Sequence, residues 1–247
     1  MSGHSKWANI KHKKGKADAL RGKITTKIGR EITIAVRMGG PDPVGNMRLK
    51  LALTKAKANN IPKENIQRAI QKGAGALDGS NFEEITYEGY GTAGTALMIN
   101  CLTDNRNRTA ADVRHIFSKY GGNMGATGCV SYMFHMKGIF MISPEAEADE
   151  DTVMMAALEA GAEDVKSEDG GFEIVTDPDA FDAVEKALED AGIEVESAEL
   201  TMVPDTYTEL NGEEAEKFQN MLDALEDLDD VQDVYHSADM PEDEDEE

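Results

Sequence analysis

Residues 157–165 read ALEAGAEDV, and residues 187–195 read ALEDAGIEV. Each of these nonapeptides combines the end of a helical pattern, a glycine that stops it and the start of a strand. The second copy comes 30 residues after the first, which is where a repeated β-α-β half would place it. The pair therefore predicts that this part of the chain is built from two similar halves.

The patterns around this repeat complete a β-α-β-β-α-β order. The predicted strands are 139–142, 164–167, 172–176 and 194–202, and the predicted helices are 149–160 and the segment that follows Asp177 and Pro178. Elements in this order are typical of the split-βαβ or ferredoxin-like arrangement. We therefore expect a ferredoxin-like domain at residues 138–204.

A second α/β pattern lies on both sides of that domain. Before it we predict a β-β-α-β block, with strands at 84–90, 95–102 and 129–137 and a helix that starts with the capping-box-like residues 109–112. After it only a helix at 211–225 and a strand at 231–235 remain. Since the ferredoxin-like unit is already complete, we expect this last pair to return to the earlier block and cover its sheet. The result is a discontinuous α/β domain at 80–137 and 205–240.

The first part of the chain is helical in pattern. Apolar residues recur at helical spacing between Leu20 and Ala35, and the glycines and proline at 39–41 stop this pattern. A second helix is predicted at 46–59, and a third at 62–73 with Pro62 at a favoured first helical position. We expect a three-helix domain at 1–79, so the fold class of the whole chain is α+β.

Charge divides the chain at the end of the helical domain. Residues 1–79 hold 17 basic and 5 acidic side chains, a net charge of +12. Residues 80–247 hold 8 basic and 43 acidic side chains, a net charge of −35, and the last seven residues include six acids that we expect to be disordered. Such asymmetry is the composition signal for a nucleic-acid or membrane-surface partner.

The first candidate site is the basic segment of the helical domain. Clustered lysines and arginines bind phosphate backbones through charge and counterion release, and an aromatic ring among them can stack on a base. The alternatives are a solvated helix face for the basic residues and a core anchor for the tryptophan. The candidate nucleic-acid-binding residues are Lys6, Trp7, Lys11, His12, Lys13, Lys14, Lys16, Arg21, Lys23, Lys27, Arg30 and Arg37.

A second candidate contact is the polar segment 103–109, which joins a predicted strand to a predicted helix. Its candidate residues are Asn105, Arg106 and Arg108. Free backbone N–H groups at a helix start can bind phosphate. Composition alone slightly favours the alternative, a tight turn in which Asn and Asp bond to the backbone and the arginines offset acidic neighbours.

No pattern in the sequence indicates a catalytic, cofactor or metal site. The glycines at 87–94 lie between two antiparallel strands, which favours a hairpin with glycines at positive φ over a dinucleotide loop. The five histidines lack metal-ligand spacing, and Cys101 and Cys129 fall on predicted strands as small core residues. We expect a non-enzymatic protein without cofactor or metal. Two cysteines and no leader or membrane span favour the cytoplasm and argue against a membrane partner. We also expect a monomer.

Several long motifs occur in the same order as in a known family. They are GHSKWANIKH at 3–12, RGK at 21–23, GGPDP at 39–43, KAKANNIPK at 55–63, YEGYG at 87–91, LTDNRNRT at 102–109 and FSKYGGN at 117–123. The sequence resembles the YebC family over about residues 1–240. The resemblance implies a cytoplasmic, non-enzymatic protein of three domains. Many members are called probable transcriptional regulators with DNA binding, a mitochondrial relative acts as a translational activator, and bacterial members are linked to the ribosome.

Two classes of function are compatible with these features. The first is a nucleic-acid-binding regulator of gene expression, either a DNA-binding transcriptional regulator or a ribosome-associated translation factor. The absence of a clear recognition helix or dimer element in the sequence slightly favours RNA or the ribosome. The alternative is a protein-interaction adaptor whose acidic α/β domains bind a basic protein.

Overall fold

The computed structural model describes residues 21–75, 82–168 and 170–241 of the chain. The described residues form two compact units, one made of Tyr132–Tyr207 and one made of the sequence on both sides of it. The acidic tail expected at 241–247 lies outside the described residues beyond its first position. Across the described ranges, no helix is both long enough and apolar enough to cross a bilayer.

Three helices begin the described chain, in agreement with the sequence. They are α1 (Arg21–Gly39), α2 (Met47–Ala58) and α3 (Lys63–Gly73). Asn46 caps α2 by accepting a hydrogen bond from the backbone of Leu49 at 3.1 Å, and its Nδ2 donates to the carbonyl of Ala35 at 2.7 Å. One buried side chain therefore fixes both the end of α1 and the start of α2.

The first sheet is formed by the strands β1 (Glu83–Tyr90), β2 (Ala96–Thr103), β3 (Asn123–Met124) and β9 (Val231–His236). Their order is β3-β1-β2-β9, and the sheet is antiparallel throughout. The helices α4 (Arg106–Lys119) and α7 (Gly212–Glu226) bury Phe117 and Phe218 in its core. The last helix and strand return to the first sheet, as the sequence predicts. The short strands β8 (Thr208–Glu209) and β10 (Ala238–Asp239) form a separate parallel pair.

The second sheet and its two helices consist of β4 (Phe134–Ile142), α5 (Glu150–Glu159), β5 (Ala162–Glu168), β6 (Gly171–Thr176), α6 (Phe181–Asp190) and β7 (Ser197–Pro204). The strand order is β5-β6-β4-β7, and this sheet is also antiparallel. Phe140 of β4 stacks on Phe181 of α6 with ring centroids 4.7 Å apart. This order confirms the ferredoxin-like arrangement.

The strand predicted at 129–137 is wrong. The third strand of the first sheet is the two-residue β3, whereas β4 runs without interruption from Phe134 to Ile142 along β7. Gly138 looks like a break in the sequence, but it lies inside β4, where a Cβ would collide with the side chains of Thr176 and Phe181. The glycine therefore permits close packing instead of ending a strand. Cys129 lies in the turn before β4, while Cys101 is buried in β2.

The helix start predicted at residues 109–112 is also wrong by one turn. Asn105 caps α4 by accepting from the backbone of Arg108 at 3.1 Å, so Thr109 lies within the helix. The hairpin predicted at 87–94 is present, and Gly94 has a φ of 77°. Gly89 serves packing instead, because a Cβ there would collide with the backbone of Asn123.

Candidate nucleic-acid interface

The predicted basic site is only partly within the described chain. Lys23, Lys27, Arg30 and Arg37 lie on α1, and Arg21 is its first residue. The remaining candidates lie outside the described residues, and they are Lys6, Trp7, Lys11, His12, Lys13, Lys14 and Lys16. The structure therefore locates one end of the predicted site and the elements that it faces.

Three of the α1 cations face an acidic turn at residues 226–230, which connects α7 to β9. We call Lys23, Lys27 and Arg30 the turn-bound cations. Lys23 Nζ lies 2.9 Å from an Asp227 carboxylate oxygen and donates to the Asp227 carbonyl at 3.2 Å. Lys27 donates to the carbonyl of Glu226. Arg30 donates to the carbonyl of Asp229 and, at 3.1 Å, to the carboxylate of Asp230.

The end of α7 explains why this turn attracts cations. The last carbonyls of a helix lack intrahelical partners and carry the negative end of its dipole. No basic residue lies in the last turn of α7, so the cations come from α1 instead. Lys27 is enclosed enough that burial lowers the pKa of its ammonium group, against the attraction of Glu226 and Asp233. These contacts join α1 to the discontinuous domain.

Asp230 is the centre of this junction. Its carboxylate is buried and accepts from Arg108 at 2.7 Å, from Thr109 at 2.8 Å and from Thr103 at 3.3 Å, in addition to Arg30. Burial by itself raises the pKa of this carboxyl, but the hydrogen bonds from Arg108 and Thr109 and the two arginine charges lower it overall. The ionised carboxylate therefore links α1, the end of β2 and the start of α4.

The second candidate segment takes part in the same junction. Asn105 is the cap of α4, and Arg108 divides its guanidinium between Asp230 and Asp104, at 2.9 Å from the latter. Arg106 is exposed and lies 3.9 Å from Glu83. In this segment a capped turn is formed and the arginines face acidic side chains. This is the arrangement of the tight turn that the composition slightly favours over a phosphate contact.

A polar cleft of about 530 Å³ lies between α1 and this junction. Its lining includes three basic residues, Lys23, Arg30 and Arg108, and five aspartates, two of which are Asp112 and Asp229. The acids outnumber the bases, so the cleft repels phosphate more than it attracts it.

Four other cations of the helical domain point into solvent. Arg37, Lys57, Lys63 and Arg68 are exposed, and we call them the exposed cations. Lys57 and Lys63 flank the short turn between α2 and α3, where Asn60 has a φ of 52°. No acidic side chain in the described ranges forms an ion pair with any of the four. Their charge is therefore available to a phosphate backbone.

Arg48 provides a second link between the helices and the first sheet. Its guanidinium donates to Glu31 of α1 at 2.6 Å and to Glu84 of β1. Burial lowers the pKa of this arginine, but the hydrogen bonds to both carboxylates raise it overall. Three residues from three elements meet here, so no local sequence pattern shows the contact.

Glu88 is a second buried carboxylate, and sequence reasoning missed its role. It accepts from the backbone N–H groups of Gly128, Val130 and Ser131 at 2.8, 2.9 and 2.8 Å. Burial raises the pKa of this carboxyl, and these three hydrogen bonds lower it overall. The contact holds the segment before β4 against β1. The available signal was an acid directly before Gly89 in the YEGYG motif, on a predicted strand.

Comparison with known proteins agrees with this architecture. Residues 5–76 match the family model described as the TACO1/YebC protein N-terminal domain, and residues 82–238 match the one described as the TACO1/YebC second and third domain. The chain belongs to the TACO1/YebC family. The two matches meet between the helical domain and β1, where the charge of the chain changes sign.

Relatives within the TACO1/YebC family are similar over their whole length. A probable transcriptional regulatory protein of Desulforapulum autotrophicum is 60% identical over 98% of this chain and 97% of its own. Another of that description, from Ruminiclostridium cellulolyticum, is 58% identical over 100% of both chains. The crystal structure of a conserved hypothetical protein from Aquifex aeolicus is 47% identical with a TM-score of 0.84, covering 98% of this chain and 100% of its own.

Proposed function

We propose that this TACO1/YebC protein is a nucleic-acid-binding regulator of gene expression that acts without catalysis. The observation that supports it most strongly is the separation of charge, with +12 on residues 1–79 and −35 on the rest. Phosphate is attracted to the first part and repelled by the second. The acidic domains therefore restrict the orientation in which the helical domain approaches a nucleic acid.

The cations of the helical domain have two different tasks in this proposal. The basic residues between Lys6 and Lys16 and the exposed cations contact phosphates. The turn-bound cations are already occupied by the carbonyls and carboxylates of residues 226–230, and their task is to position α1. Arg108 belongs to the positioning group because it donates to Asp230.

Charge reversal at Lys11, Lys13, Lys14 and Lys16 tests the proposal. Because each phosphate contact releases counterions, binding of RNA or DNA by the unmodified chain should fall steeply with salt. The reversed variant should lose most of this binding at every salt concentration. Unchanged binding of RNA, DNA and ribosomes by that variant would overturn the proposal.

Two nucleic acids are compatible with the proposal. The names of the relatives, probable transcriptional regulatory proteins, support transcription and therefore DNA. The ribosome is supported only by what the family resemblance implies. Ribosome co-sedimentation beside chromatin immunoprecipitation separates them. Salt-sensitive co-sedimentation without promoter enrichment assigns a translation factor, and the reverse pattern assigns a transcriptional regulator.

A further inference from the structure

Helix α5 has apolar residues on its solvent side. Val153 and Ala157 are buried against the ferredoxin-like core, as expected for an amphipathic helix. Met154, Met155 and Leu158 are nevertheless 38%, 61% and 45% exposed. Residues three and four apart lie on the same side of a helix, so these three side chains form one continuous strip, which we call the α5 ridge.

Carboxylates surround the α5 ridge. Glu150 precedes Met154 by one helical turn, and Glu159 follows Met155 by one turn. Asp151 is exposed on the same side, and the residues from 143 to 149 that lead into the helix contain three acids and no base. The ridge is therefore an apolar strip with an acidic border.

The charge of the border decides which partner fits. A nucleic acid or an anionic lipid surface is repelled by these carboxylates, and pairing of two α5 ridges from two copies of this chain would bring two acidic borders together. A partner with lysines or arginines beside an apolar stripe satisfies both features at once. Methionine side chains adapt to partners of different shape, and they occur at surfaces that accept amphipathic helices.

We infer that the α5 ridge is a docking surface for a basic amphipathic helix of a partner protein. The ridge lies in the unit formed by Tyr132–Tyr207, whereas the basic helices belong to the other unit. Docking at the α5 ridge is therefore a function beyond nucleic-acid binding and does not depend on it. With both functions, the chain connects a nucleic acid to a basic protein.

The test uses the full chain and a synthetic helical peptide of about 18 residues, with a leucine stripe between two rows of lysines. A peptide of the same composition in scrambled order has no stripe and is the control. Fluorescence anisotropy should show saturable binding of the first peptide and much weaker binding of the second. Equal binding of both would mean that charge alone attracts them, and would overturn the inference.

Substitutions locate the binding on the ridge. Met154→Gln with Met155→Gln keeps side-chain length and removes apolar contact, so peptide affinity should fall about tenfold or more. Met38→Gln changes a methionine that is 68% exposed on α1, and affinity should stay the same. Glu150→Gln with Glu159→Gln should weaken binding and reduce its salt dependence. Unchanged affinity in the double methionine variant would contradict the inference.

Two further readouts separate the alternatives. Sedimentation of the free chain as a dimer that the Met154→Gln, Met155→Gln variant abolishes would assign the ridge to self-association and reject the basic partner. Nucleic-acid binding by that variant should remain at the level of the unmodified chain. Failure of the proposed function appears as absence of nucleic-acid binding in the unmodified chain, which is a different result.

Discussion

The turn-bound cations and the exposed cations belong to the same helical domain but face different surroundings. The first group is bonded to the acidic turn at 226–230, and the bonds of Lys27 and Arg30 each span 199 residues of sequence. The second group faces solvent. The net charge of the helical domain therefore overstates how many of its cations are available to phosphate. The difference shows that cations of a basic helix can instead hold that helix against an acidic segment of the same chain.

Removal of the Asp230 carboxylate should disrupt the contacts between α1 and residues 226–230. Of the changes considered, it should lower the free energy of unfolding most. Asp230→Ala removes one acceptor from Arg30, from Arg108 and from two threonine hydroxyls, while both arginines keep a second acceptor. The loss should cost about 1.5–3 kcal/mol of the free energy of unfolding. Asp229→Ala is the control, because Arg30 bonds to the backbone carbonyl of Asp229 and that carbonyl remains. Urea unfolding measures both variants. Equal stability of the two would show that Asp230 is not the centre of the junction.

Glu88 offers a contrast, because backbone amides and not cations hold its carboxylate. Glu88→Gln places an amide NH₂ against N–H donors, and it should cost about 1–3 kcal/mol. Hydrogen exchange at Gly128 and Val130 should accelerate, while nucleic-acid binding stays unchanged. Glu83→Gln alters an exposed acid of the same strand and should leave both amides protected.

The stability of the junction should depend on pH, because protonation of Asp230 at low pH removes the charge that holds its donors. Folding lowers this pKa, so the stabilisation is complete above the pKa of an unfolded aspartate, about 4, and disappears as pH falls through the lowered value. The free energy of unfolding should therefore decrease as the pH is lowered below about 5. In Asp230→Asn this decrease should be smaller. If the free energy of unfolding depended on pH identically in both proteins, Asp230 would not be the group responsible for the decrease.

Much of the fold could be predicted because its signals are local. Asn46 and Pro62 mark helix starts by their own chemistry, and the repeat at 157–165 and 187–195 indicates the ferredoxin-like order. Gly138 was misread because its effect depends on Phe181, which reaches it only in the folded sheet. A glycine that ends a strand and one that admits a neighbouring ring look alike in sequence.

The site was less predictable for the same physical reason. Composition shows that α1 is basic, but it does not show which of its cations have acidic partners in the fold. Asp230 takes its donors from α1, the end of β2 and the start of α4, and each contributes one or two residues. The sequence prediction treated Lys23, Lys27 and Arg37 alike, whereas the structure gives only the first two a bonded partner on the acidic turn.

The most direct test compares the salt dependence of nucleic-acid binding when each group of cations is neutralised. Anisotropy titrations would use one RNA and one DNA probe. Substituting Lys57, Lys63 and Arg68 with Gln should weaken binding and reduce the slope of log K against log salt by about 0.7–0.9 for each phosphate that is no longer neutralised. Substituting Lys23 and Lys27 with Gln should leave that slope unchanged. An equal reduction of slope in both variants, or no salt-dependent binding by the unmodified chain, would contradict the account.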